Sequence, residues 1–255
     1  MPWSAPADGR AFWFHYEDER VGDGRPVRAD NRPSGARAAD STAIRFDTFG
    51  MNLATVVGVG SFRLDGLAWA AWQRGGWGRQ DHAADAFALE AGLHQPKWWG
   101  SPWLRAGINI ASGDDDVTDD THGTFVPLLP TPRIYALTPF YTAMNLDDRF
   151  VQLILKPLKQ VTVRADYHDL GLAESSDLWY SGGGASSEDI FGYGGLPSSG
   201  SDDLARLVDV GVTWAPVHQV SVYGYYGRVL GGDVVAGQFT GANANYGYLE
   251  ATYRY

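Results

Sequence analysis

The closing residues "NYGYLEATYRY", 245–255, alternate by twos. Gly247, Leu249, Ala251, Tyr253 and Tyr255 fall on one face, and Tyr246, Tyr248, Glu250, Thr252 and Arg254 on the other, which is the period of a β-strand. In "VTVRADYH", 161–168, Val161, Val163, Ala165 and Tyr167 oppose Thr162, Arg164, Asp166 and His168. Leu104, Ala106, Ile108 and Ile110 likewise oppose Arg105 and Asn109; Val208, Val210, Val212 and Trp214 oppose Asp209 and Thr213; Phe87, Leu89, Ala91 and Leu93 oppose Glu90 and His94. Ten segments carry a strand pattern: 11–18, 42–56, 60–74, 82–94, 102–112, 149–157, 160–171, 204–215, 219–230 and 244–255. Most have the ~9 to 11 residues, or slightly more, that a tilted strand needs to cross a hydrocarbon layer.

The connections sort by length. Those after the second, fourth, sixth and eighth segments are mostly tight, while those after the first, fifth, seventh and ninth are long, with the third as the exception. An up-and-down barrel in an outer membrane has this order, with short turns at the periplasmic side and long loops outside. Aromatics gather near segment ends: Trp98, Trp99 and Trp103 beside one short turn, Trp214 beside another, Tyr253 and Tyr255 at the terminus. Interfacial girdles have that placement. Lys97, Lys156 and Lys159 all fall at short turns. Two segments resist the rule. In 42–56, Ile44 and Phe46 start on one face and Phe49, Met51 and Leu53 fall on the other, which predicts a bulge near Gly50 and turns Arg45 inward. The segment 219–230 is apolar on both faces, and the pattern does not orient it.

Composition narrows the class. With 255 residues, 32 glycines, 10 tryptophans and 13% aromatics, the chain suits one turn-rich, all-β domain. Mean hydropathy is −0.24 and no run approaches a membrane-spanning helix, whereas an alternating barrel keeps a low mean hydropathy by construction. There is no cysteine, so disulfides, thiolate catalysis and zinc–thiolate sites are excluded. A net charge of −10 argues against nucleic acid as a partner. Residues 1–10 have neither a basic n-region nor an apolar h-region, as expected of a mature chain, a fragment, or a start inside a longer gene.

Four stretches carry a family resemblance: "WLRAGINIASGDDDVTDDTHGTFVPLLPTPRIYALTPF", "QLILKPLKQVTVRADYHDL", "DLWYSGGG" and "NANYGYLEATYRY". Over about residues 40 to 255 the chain resembles the alginate-export proteins of Gram-negative outer membranes. The resemblance implies the C-terminal portion of an eighteen-stranded transmembrane barrel with an electropositive lumen, through which an anionic polysaccharide is exported passively. It also implies outer-membrane lipids, lipopolysaccharide and the barrel-assembly machinery as partners. The expected organisation is one barrel domain over 1–255, with long extracellular loops at 113–148 and 172–203. A porin for uptake of small acidic nutrients is the alternative.

On the inferred inner face lie Arg45, Arg63, Arg105, Arg164 and Arg254, with Asp47, Asp65, Glu90, Asp166, Asp209 and Glu250. Guanidinium groups suit passing contacts to carboxylates, since they stay charged and offer paired donors; pairing across strands to stabilise the wall is the competing role. The proline-rich "PLLPTPRIYALTPF", 127–140, either folds into the mouth and presents Arg133 or packs on the rim. Asp114, Asp115 and Asp116 in "SGDDDVTDD" either bind calcium through hard oxygen ligands or form a solvated turn, without the spacing of an EF-hand. No other cofactor is called for. No enzyme is expected: G-x-S-x-G, H-E-x-x-H and a complete phosphate loop are all missing. His168 beside Asp166 resembles half of a catalytic pair but has no serine assigned to it.

Overall fold

The computed structural model describes residues 7–19, 30–127, 136–180 and 194–255. Ten long strands carry the period-two pattern: β1 (Ala7–Asp18), β2 (Ile44–Val59), β3 (Phe62–Trp77), β4 (Gln80–His94) and β5 (Trp103–Ala111) precede a two-residue β6 (Thr121–His122). They continue as β7 (Leu146–Leu158) and β8 (Val161–Gly171); a small hairpin of β9 (Leu178–Tyr180) and β10 (Gly195–Pro197) intervenes; then come β11 (Asp203–Val217), β12 (Val220–Gly231) and β13 (Asn243–Tyr253). Two single-turn helices, α1 (Ser34–Ala39) and α2 (Asp233–Gln238), lie in loops. No helix of the described residues is long and apolar enough to cross a membrane.

The long strands pair antiparallel with their sequence neighbours in the order β1-β2-β3-β4-β5-β7-β8-β11-β12-β13, and β6 adds a short parallel bridge to β4. The chain is therefore an antiparallel all-β meander. It is not a closed barrel: β1 and β13 end the path and do not pair with each other among the described residues. The sequence left open whether these ten strands close on themselves; the described residues form an open sheet.

Register assigns every side chain to a face, because directly opposed residues point the same way. Phe46, Thr48, Gly50 and Asn52 of β2 oppose Gly75, Gln73, Ala71 and Trp69 of β3, and these oppose His82, Ala84, Ala86 and Ala88 of β4. This face holds the buried residues and the loops; it is the inner face. The other face carries exposed apolar side chains in a belt: Phe49, Met51 and Leu53 of β2, Leu64 and Trp72 of β3, Leu89 and Leu93 of β4, and Val208, Val210 and Val212 of β11. On β3, outward Phe62 and Trp72 stand about ten residues apart, ~33 Å along the strand. At a tilt of ~40° that is roughly the 25 Å height of a membrane-facing band.

No register shift interrupts β2 from Ile44 to Val59. The bulge expected near Gly50 is absent, and Arg45 and Asp47 consequently share the outer face with Phe49 and Met51. The physical reason lies at the loop end. There Ile44 and Phe46 point inward against Trp77, Val126, Met144 and Tyr180, a core formed by loops folded over the wall. Register shifts do occur beside two short turns, between Leu155 and Leu158 and between Trp214 and Val217. Each contains a proline, Pro157 or Pro216, which cannot donate to the ladder.

Candidate functional site on the inner wall

Two rows of opposed residues cross the short-turn half of the inner face. One runs Asp65, Gly92, Arg105, Gln152, Asp166, Asp209, Gly227 and Tyr246 from β3 to β13; the adjacent one runs Arg63, His94, Trp103, Ile154, Arg164, Gly211, Tyr225 and Tyr248. Arg63, Arg105 and Arg164 thus lie on the inner face, brought together by register and not by sequence proximity. Arg254 follows β13 on the inner parity, its backbone N–H donating to Gln219 O at 2.8 Å. Arg45 is on the opposite face, paired with Glu17 and with Glu19 at 2.8 Å. Arg133 lies outside the described residues.

Arg105 and Arg164 are engaged. Arg105 meets Glu90 of β4 and approaches Asp65 Oδ1 of β3 at 3.4 Å. The second contact reaches across β4, and Gly92 permits it: a Cβ there would collide with the Asp65 carboxylate. Trp103 Nε1–H donates to Asp65 Oδ2 at 2.7 Å, and the Arg105 guanidinium sits 5.1 Å from the Trp103 ring centroid. Arg164 pairs with Asp166 two residues along its own strand. The inner face of the ten strands also bears Asp8, paired with Arg10, and Asp18, Asp148, Asp209 and Glu250. The electropositive lumen implied by the resemblance is not what this stretch of wall carries.

Beside the charges lies an aromatic strip that the sequence pattern could not orient. Tyr223 and Tyr225 of β12 point inward next to Tyr246 and Tyr248 of β13, with ring centroids 5.6 to 6.2 Å apart. The available signal was the polar parity of β13, since Tyr246 and Tyr248 alternate with Leu249 in step with Glu250.

Within the first row, Asp166 of β8 and Asp209 of β11 stand opposite each other, with His168 two residues on toward the loops; all three are buried. His168 Nδ1–H donates to Asp148 Oδ1 of β7 at 2.9 Å. Its ring is thus oriented by a neighbouring strand and not by Asp166, as a catalytic pair would require. Tyr225 Oη–H donates to Asp209 Oδ2 at 3.0 Å, and Thr138 in turn contacts Tyr225 Oη at 2.9 Å. Thr138 belongs to the 136–145 stretch, which reaches the wall over Gly227, where a Cβ would displace the threonine hydroxyl.

At the loop end, the chain's own loops fold over the inner face. Gln73 of β3 clamps the Val126 backbone, Nε2 donating to its oxygen at 2.6 Å while Oε1 accepts its N–H at 2.9 Å. Asp177 accepts four hydrogen bonds, from the Asp114 and Leu178 N–H groups and from the Thr124 and Tyr180 hydroxyls. Asn145, at a φ of 48°, ties the two large loops together through Glu174 and Leu178. Burial, followed by the Asp177 charge, pushes the Asp114 carboxyl up to about 7. Asp116 turns to the Thr118 hydroxyl and N–H, which lower its pKa. Asp114, Asp115 and Asp116 do not converge: among the described residues, the three groups that gather within ligand reach of one another are Asp166, His168 and Asp209.

A family model described as alginate export matches residues 5–248, nearly the whole chain. No curated protein matches it.

Proposed function

Because the chain belongs to the alginate-export family, we propose that it forms part of an outer-membrane β-barrel through which an anionic polysaccharide leaves the cell passively. The observation that carries this reading is the inverted sheet: apolar side chains exposed in a belt on one face, arginines, carboxylates and tyrosines on the other. A soluble sheet of this size buries its apolar face. The two unpaired edges, β1 and β13, fit a wall that further strands complete toward the family's eighteen, since a free edge is a template for another strand.

Passage requires no cofactor. Uronate carboxylates exchange between Arg63, Arg105, Arg164 and Arg254, while the carboxylates already held by Arg105 and Arg164 keep each contact weak enough to release, as conduction demands. Sugar rings pass over the inward Tyr223, Tyr246 and Tyr248, whose aromatic faces offer low-specificity contact area. The inward-folded stretches 112–127 and 136–145 set the width of the mouth. Membrane lipid surrounds the belt, and lipopolysaccharide meets the polar ring above it at Glu17, Arg45, Arg149 and Arg206.

One observation favours uptake of small acidic solutes as a second reading: Arg105 and Arg164 are paired on a wall rich in carboxylates. Single-channel recording with the chain reconstituted in planar bilayers separates the two. Block of the current by micromolar polyuronate, relieved in Arg105→Ala, supports export. Indifference to the polymer with conduction of small organic acids supports uptake. Absence of any channel with and without added N-terminal strands would remove both.

A further inference from the structure

The inner wall holds more negative charge at one buried point than its own groups balance. Asp148, Asp166 and Asp209 come from three adjacent strands, β7, β8 and β11, and all three are at most 3% exposed. Arg164 is the cation paired with them, through Asp166. Asn109 stands opposite Asp148, Tyr225 donates to Asp209, and Phe150 stacks on the His168 ring at 5.6 Å. Three buried carboxyl groups thus share one paired guanidinium, and buried acidic groups in such excess call for compensation.

The hydrogen bonds leave matching donor atoms unused. His168 turns Nδ1 to Asp148, and its Nε2 has no partner although the side chain is 1% exposed. Asp166 Oδ1 is likewise buried and unpartnered. One ligating atom from each of Asp166, His168 and Asp209 lies within 4.8 Å of the other two. A carboxylate that fixes the far nitrogen of a histidine is the usual outer support of a metal-bound imidazole.

We propose that Asp166, His168 and Asp209 bind a first-row divalent cation of the zinc or manganese class, with Asp148 orienting His168 from behind. One imidazole nitrogen and two carboxylate oxygens suit these borderline ions better than calcium, which takes six to eight oxygens. An ion ~2.1 Å from each donor draws the three inward and leaves room for water. It cross-links β8 to β11 and holds β7 indirectly, through Asp148 behind His168. Through Tyr225 and Thr138 it also fixes the 136–145 stretch against the wall.

The untagged 255-residue chain, folded in detergent micelles and stripped with chelator, is titrated with zinc, desalted and assayed for metal by atomic emission; cobalt serves as the spectroscopic probe. The expected result is about one equivalent of zinc and cobalt d–d bands of low-coordinate nitrogen and oxygen ligation. His168→Gln and Asp209→Asn abolish both signals, Asp148→Asn weakens zinc binding about 10- to 100-fold, and Asp114→Asn leaves it unchanged. A wild-type chain that retains no zinc after desalting overturns the proposal whatever the variants do, and assigns neutralisation of the cluster to protons. Retention of zinc by His168→Gln, or its loss in Asp114→Asn, overturns it equally.

Discussion

The two ends of the same strands use alternation in opposite ways. Toward the short turns, Leu64, Leu89, Leu93 and Val212 look outward, while Arg63, Asp65, Glu90 and Thr213 look inward. Toward the loops, Ile44, Phe46 and Leu146 look inward and are buried, while Glu17, Arg45, Asp147 and Arg149 look outward and pair with one another. One strand of unbroken pleat therefore carries both patterns, because its outer face leaves the apolar belt and its inner face meets folded loops. Apolar means exposed belt at one end and core at the other.

The sharpest way to break this contrast is to delete core at the loop end. Phe46 is 1% exposed and packs against Tyr16 and His82 as well as the loop cluster. Phe46→Ala is expected to destabilise the folded chain by ~3–5 kcal/mol, as for other buried aromatic truncations. Denaturant titration in lipid vesicles measures this. A cost near zero means that the loops do not pack on β2.

The belt predicts a somewhat smaller penalty of a different kind. Leu89 is outward on β4, 51% exposed and far from either end of its strand. Leu89→Arg is expected to cost ~2–4 kcal/mol in a bilayer, the range for a cation near the midplane of a barrel wall. The same substitution costs little in a thin-belt detergent, where the guanidinium reaches water. Equal stability in vesicles and detergent would contradict a lipid-facing Leu89.

A third effect is local and depends on pH. The Asp114 carboxyl is raised to about 7 from an ordinary 3.8, so the folded loop favours its protonated form. That contribution is complete below about 3.8 and is lost as pH climbs to about 7, where the buried group ionises beside Asp177. Asp177, raised by its own burial, pulls the same way. Amides of 112–127 should therefore exchange faster at pH 8 than at pH 5.5, after correction for intrinsic exchange rates. Asp114→Asn should flatten the difference, and a wild-type loop with equal protection at both values would refute the assignment.

What the sequence made legible follows from this contrast. All ten long strands lie close to the segments expected from period two, and the loop sorting is as expected, because both depend on local pattern. Arg63, Arg105 and Arg164 take the inner parity because their strands keep one pattern through the belt. Arg45 does not: its neighbours Ile44 and Phe46 owe their burial to Val126, Met144 and Tyr180, residues distant in sequence that no local period reveals. The Asp148–His168 contact was hidden for the same reason. It depends on how β7 registers against β8, while the chain itself advertises the adjacent Asp166. The tyrosine strip escaped because β12 is apolar on both faces, and only its pairing with β13 orients it.

Arg45 gives the smallest expected effect and the most pointed comparison. As an exposed outward group paired with Glu17 and Glu19, it should be removable, in Arg45→Ala, without a measurable shift of the unfolding midpoint, since exposed ion pairs contribute little. It should equally leave ion selectivity unchanged, because its charge is separated from the inner wall by the thickness of the sheet. Arg105→Ala removes a guanidinium held between Glu90 and Asp65 on the inner face and should shift the reversal potential in a salt gradient toward cation preference. The two substitutions delete the same group at positions that the sequence treats alike. If Arg45→Ala moves the reversal potential and Arg105→Ala does not, the unbroken register of β2 is wrong, and with it the division between a packed loop end and an exposed apolar belt.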